Sequence, residues 1–153
     1  MTSPAYKDSA DIVLFDMDGT LTHVRQKIDR PTVSVLRDLT KHCLVGIVSG
    51  SPWEYIEQQI KTLWCDVGSC SPHDVVLLPC NGTQLLVFDS ASRQYKVEYE
   101  LDMKEHMHNE VHEKAYQELI QSIIELQAKF LSTYDFPALT GNFVSYRKSM
   151  VNW

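Results

Sequence analysis

The chain has 153 residues, 44% of them hydrophobic, enough for one domain, or one domain with part of a second. Its 14 basic residues against 20 acidic ones leave a formal charge of -6, which argues against a nucleic-acid or other polyanionic partner. No apolar run approaches the length of a membrane span, and Met1-Thr2-Ser3-Pro4-Ala5-Tyr6-Lys7-Asp8 lacks a signal-peptide core, so a soluble, cytoplasmic protein without a membrane partner is expected.

The first predicted element is a buried strand over Ile12 to Phe15, four consecutive apolar residues with no polar face. It runs into Asp16-Met17-Asp18-Gly19-Thr20. Alternation along an extended backbone points Asp16 and Asp18 the same way, at the carboxyl end of a strand, where open α/β sheets bind ligands. Two adjacent acids repel, and a divalent cation is the common means of keeping both ionised. Gly19 lets the chain leave the strand sharply, and Thr20 offers a hydroxyl and an amide to an anion. A calcium loop is the competing reading of Asp-x-Asp-Gly, but Leu21, Thr22, His23 and Val24 supply none of the further oxygens it needs.

Ile28-Asp29-Arg30-Pro31 reads as a helix entry, and Thr32 to Lys41 as an amphipathic helix on Val33, Val35, Leu36 and Leu39. Cys43 to Val48 is a second apolar strand, so strand, helix and strand form a βαβ unit with a parallel sheet. Ser49-Gly50-Ser51 then opens a helix from Pro52 to about Leu63. Small residues at such a junction present amides and hydroxyls to a phosphate, although N-capping by Ser51 would also account for the serine. Asp66 to Ser71 reads as a loop, Asp74 to Pro79 as a third strand, and Asn81-Gly82 as a tight turn. Gln84 to Asp89 and Gln94 to Leu101 pair as a hairpin across Ser90-Ala91-Ser92-Arg93. His108 and His112 suggest a metal pair on one helix face, but a solvated helix entry explains them better. From Val111, the residues Ala115, Leu119, Ile120, Ile123, Leu126 and Phe130 form a helical stripe expected to pack on a sheet. Asn142 to Arg147 and Met150 to Trp153 read as two strands joined at Lys148-Ser149. Cys43, Cys65, Cys70 and Cys80 are irregularly spaced and read as free thiols; a zinc site on Cys65, Cys70 and His73 fits no standard ligand spacing.

Phe15-Asp16-Met17-Asp18-Gly19-Thr20-Leu21-Thr22 resembles the nucleophile motif of haloacid dehalogenase-like (HAD) phosphotransferases. His23 to Ile28 resembles the eukaryotic-type phosphomannomutase branch in particular. Ser51 matches that branch's phosphate serine, and Ser49 the hydroxyl residue of other HAD enzymes. Pro52 stands where Asp is usual. Pro79-Cys80-Asn81-Gly82 resembles Pro-Glu-Asn-Gly with the acid replaced. Thr140 to Asn152 is similar to the family's substrate-cap segment, with Thr140 in place of a phosphate-binding arginine, while Arg25 and Arg147 match family arginines near the substrate.

The resemblance implies an α/β fold: a HAD-like Rossmannoid core with a parallel sheet over residues 1-81 and a partial α+β cap over 82-153. It implies Asp16 as the phosphorus-attacking nucleophile and Asp18 as the proton exchanger. One Mg2+ would sit between these two acids, with Thr20, Ser49, Gly50 and Ser51 on the phosphate. Arg25 and Arg147 would hold the distal end of a phosphorylated hexose. The implied activity is mannose 6-phosphate to mannose 1-phosphate interconversion in GDP-mannose supply, in a homodimer formed through the cap. A sugar-phosphate phosphatase on the same site and a non-catalytic binding module are the alternatives. The resemblance covers about the first half of a family member, and the lysine and further acidic pair of its second half have no counterpart, so a fragment or a protein without catalysis is expected.

Overall fold

The computed structural model describes residues 11–65, 70–135 and 141–153; of Cys65 it describes the backbone. The chain divides into two compact units between Glu100 and Leu101. In the first, β1 (Ile12–Asp16), β2 (Leu44–Val48) and β3 (Val75–Leu78) are parallel, and β4 (Gln84–Asp89) and β5 (Gln94–Glu100) continue the same sheet antiparallel, in the order β1-β2-β3-β4-β5. The hairpin expected in the cap therefore extends the core sheet. The expected boundary at 81/82 is corrected to 100/101, because β4 turns straight back onto β3.

The core lies on one face of this sheet. Val45, Ile47, Val75, Leu77 and Leu86 meet Val33 and Leu36 of α1 (Arg30–Leu39) and Ile56 and Ile60 of α2 (Trp53–Ile60). Asp29 caps α1 by accepting the Thr32 N–H at 2.8 Å, and Pro31 occupies its first turn, as expected. The expected helix from Pro52 to Leu63 is instead two pieces, α2 and the single turn α3 (Thr62–Cys65). Pro52, not Ser51, stands at the cap position of α2, and no side chain caps it.

A second correction concerns β1. Four apolar residues in a row were read as buried on both sides, yet Ile12 and Leu14 are 40% and 55% exposed. Among the described residues β1 lies at one edge of the sheet, with β5 at the other, and only its Val13 and Phe15 face turns to the core side. Between β3 and β4, Pro79–Gly82 forms a one-turn element, α4, whose central residues Cys80 and Asn81 are left-handed.

The second unit holds α5 (Met103–Glu110), α6 (Ala115–Thr133) and a short hairpin of β6 (Ser145–Tyr146) and β7 (Val151–Asn152). Met103 N–H donates to the Lys148 carbonyl at 2.8 Å, and the Tyr146 hydroxyl donates to Asp102. Both strands are shorter than expected. Val111 ends α5 rather than opening α6, so His108 and His112 do not share a helix. His112 instead sits 3.3 Å from Glu118. The α6 stripe is less covered than expected: Ala115 is buried, but Leu126 and Phe130 are 47% and 44% exposed. Among the described residues no helix is long and apolar enough to cross a membrane, and no three His, Cys, Asp or Glu side chains are grouped to hold a metal. Thr140 lies outside the described residues.

Candidate active site

The turn that follows β1 is wound around one carbonyl. Met17 O accepts the N–H groups of Thr20, Leu21 and Thr22 at 3.4, 3.1 and 3.0 Å, and the Thr22 hydroxyl at 3.2 Å. Gly19, at φ +87°, completes it by donating to Thr22 O at 2.7 Å. Met17, Leu21 and Thr22 are buried and fasten the turn to the core, leaving Asp16 exposed and Asp18 half-buried on either side of Met17. The next residues double back so that Arg25, itself left-handed at φ +57°, donates its N–H to Asp18 Oδ1 at 2.9 Å.

A second donor reaches the same oxygen from α2. Gln59 Nε2 lies 2.9 Å from Asp18 Oδ1 and 3.3 Å from the Gln26 carbonyl, while the Gln59 carbonyl accepts the Ile28 N–H at 2.9 Å. Gln59 is only 7% exposed, on the helix face that also carries Ile56 and Ile60. Asp18 is thereby held by two N–H donors. Asp16 accepts none from the described residues, and its carboxylate is open to solvent. The two acids thus have different environments: one is fixed in place, and the other is free to engage a substrate.

β1 and β2 run parallel with Asp16 opposite Val48, and Met17 N–H extends the pairing to Val48 O at 3.2 Å. The Asp16–Asp18 turn and the Ser49-Gly50-Ser51 loop therefore leave the sheet side by side. Ser49 is buried, and its Oγ accepts the Ser51 N–H at 3.1 Å. Its hydroxyl thus shapes the loop itself, beyond the phosphate role read for it. The Cys80 and Asn81 N–H groups donate to Ser51 O and Ser49 O at 3.1 and 2.8 Å. A Cβ added at Gly50 would lie 3.2 Å from Asn81 Oδ1, so the loop and α4 are in close approach.

Of the residues read from the sequence, Asp16, Asp18, Thr20, Arg25, Ser49, Gly50 and Ser51 belong to these two adjoining turns. Arg25 enters through its backbone amide, and its side chain is exposed. Arg147 lies in the second unit, between β6 and β7, where its N–H donates to Met150 O at 2.9 Å. Gln59 and Asn81 were missed as site residues. The signal for Gln59 was present, since it is a polar residue on the apolar face of an amphipathic helix. The carboxylates of Asp16 and Asp18, without a third acid, His or Cys beside them among the described residues, do not make a zinc or calcium cage. The open Asp16 carboxylate fits magnesium, which is held by one or two carboxylates together with substrate phosphate and water.

The model of the haloacid dehalogenase-like hydrolase family matches residues 13–149. Among curated proteins, a probable phosphomannomutase of Caenorhabditis elegans is 28% identical over 152 residues, covering 99% of this chain and 53% of its own length. The phosphomannomutase of Babesia bovis is 28% identical over 142 residues, covering 92% and 50%. That of Encephalitozoon cuniculi is 27% identical over 150 residues, covering 95% and 49%. The chain spans about half the length of these relatives. Among solved structures, the N-terminally truncated, IMP-bound IMP-nucleotidase of Plasmodium falciparum superposes with a TM-score of 0.62 at 14% identity, over 95% of this chain and 40% of the other. That likeness is one of fold.

Proposed function

We propose, from the premise that this chain belongs to the haloacid dehalogenase-like hydrolase family, that it carries the nucleophile and proton-exchange half of a sugar-phosphate phosphotransferase, phosphomannomutase-like in its reaction. The observation that supports this most is the unequal treatment of the two acids, with Asp18 pinned by the Arg25 amide and Gln59, and Asp16 unencumbered at the strand end.

An Asp16 carboxylate oxygen attacks phosphorus, the bond from phosphorus to the sugar oxygen breaks, and Asp18 gives its proton to that leaving oxygen. In the return step Asp18 takes the proton from a sugar hydroxyl, which attacks phosphorus and releases Asp16. The Thr20 and Ser51 hydroxyls, beside the Gly50 backbone, would hold the phosphoryl oxygens. A magnesium ion held by the Asp16 carboxylate and the Asp18 carbonyl would supply charge neutralisation at those oxygens. The lysine and second acidic pair implied by the resemblance have no counterpart in the 153 residues.

Replacement of the sugar hydroxyl by water gives a phosphatase. Thr140 favours this second reading, because a mutase must grip phosphate at both ends of its substrate and the matching family residue is an arginine.

Incubation with a hexose bisphosphate and Mg2+ is expected to place a hydroxylamine-labile phosphoryl group on Asp16, seen by intact mass and lost in Asp16→Asn or on chelation of the metal. Asp18→Asn should slow its appearance by on the order of a hundredfold to ten-thousandfold. Absence of any adduct with magnesium present would sink the reading. Discharge of the adduct to a hexose monophosphate rather than to water separates mutase from phosphatase.

A further inference from the structure

Beside the core of the first unit lies a cavity of about 560 Å3 that the phosphotransfer chemistry leaves unused. Its apolar wall is aromatic. Phe88 and Tyr95 are cross-strand partners on β4 and β5. The centroid of the Tyr95 ring lies 5.5 Å from that of Phe88, 5.6 Å from Trp53 and 5.2 Å from Trp64. The Tyr95 hydroxyl is spent on the Pro72 and Val75 carbonyls at 3.1 and 3.2 Å, which pins the ring, and the two indoles are tilted to it by 49° and 45°. Trp53, Trp64 and Tyr95 pack against the core yet are only half-buried, so each keeps ring surface open to a ligand.

Two opposite charges line the same cavity. Glu57 follows Trp53 by one turn of α2 and shares its side of the helix. Arg93 stands in the β4–β5 turn, left-handed at φ +55°, with its N–H on the Asp89 carbonyl at 2.8 Å. Both residues are exposed, and their side chains pair neither with each other nor with any other described residue. Aromatic faces receive a planar heterocycle by stacking, a carboxylate accepts the hydroxyls of a ribose, and a guanidinium takes a phosphate through two parallel N–H bonds. A mononucleotide carries these three groups in one molecule. An ammonium ligand would be served by the rings and repelled by Arg93. The volume lies in the range of pockets that enclose drug-sized ligands, which suits a mononucleotide better than a single sugar ring or amino acid.

We propose that the cavity between α2 and the β4–β5 hairpin is a mononucleotide site, with the base on the indole rings, the ribose hydroxyls on Glu57 and the phosphate on Arg93. Asp16 and Asp18 do not line it, so it is separate from the catalytic acids and goes beyond the phosphotransferase assignment. The two sites share one helix, since α2 carries Trp53 and Glu57 here and the buried Gln59 there.

The test titrates the full chain with AMP in the absence of magnesium and follows tryptophan emission, to which Trp53 and Trp64 contribute two of the three indoles. Saturable quenching at millimolar AMP or below is expected, with adenosine binding more weakly and ribose 5-phosphate, which has no base, leaving the emission unchanged. Arg93→Asn removes the cation but tolerates left-handed backbone, and should weaken AMP by about tenfold or more while changing adenosine by less than about twofold. Glu57→Gln, the second variant, should weaken AMP and adenosine by the same factor. Absence of saturable quenching by AMP would overturn the proposal. Equal quenching by ribose 5-phosphate, or AMP affinity unchanged in Arg93→Asn, would do so as well, since either puts the ligand on the serine loop by its phosphate alone. None of these measurements reads activity, so their failure leaves the phosphotransferase assignment standing.

Discussion

Asp16 and Asp18 differ less in position along the chain than in what touches them. An aspartate asked to give and take a proton must present one oxygen in a fixed direction, and the Arg25 amide and Gln59 both tie down Oδ1. Gln59→Ala should therefore slow phosphoryl transfer by about tenfold with little change in substrate KM. Gln59→Glu would set a second negative charge against Asp18 and should move the pH–rate profile to the alkaline side. A profile unchanged in both variants would leave the Arg25 amide as the sole organiser of Asp18. The acids and the serine loop were legible in the sequence, because each follows directly on an apolar strand. The Gln59 contact was not, since it spans 41 residues and exists only once α2 is docked on the sheet.

At the level of the element, sequence patterning succeeded where local chemistry sets the outcome and failed where neighbours do. The start of α1 is such a success: the Asp29 side chain receives Thr32, which holds its carboxyl below the ordinary value of 3.8. A group whose folded value is depressed stabilises above its unfolded value and loses that contribution as the pH falls through the folded one. The melting-temperature gap between the parent and Asp29→Ala should thus be constant near neutrality and close progressively below about pH 4. β1 is the instructive failure. Its composition is that of a strand covered on both faces, yet which strand ends up at a sheet's rim is decided by topology, which Ile12 and Leu14 do not encode. The α6 stripe failed similarly, since an apolar periodicity identifies a face but not what meets it.

Across the molecule, the division falls at Glu100 and Leu101 rather than at 81/82: Pro79 to Gly82 carries the local marks of a boundary, while the return of β4 onto β3 is a long-range event. Packing on the core face has a measurable chemical consequence. Cys43, Cys70 and Cys80 are buried thiols that form no disulfide, and burial pushes the Cys70 thiol up to about 11. Iodoacetamide at pH 8 should modify none of the three until denaturant is added, as peptide mass mapping would show. The placement of β1 has an effect of a different kind. Among the described residues β1 pairs with β2 alone, so in this chain it opens at a smaller free-energy cost than β2 or β3, and it is also the strand that ends at Asp16, the proposed nucleophile. Heating should therefore silence the chemistry before it melts the molecule. The temperature interval between inactivation and unfolding becomes a gauge of whatever steadies that outer edge while the protein works.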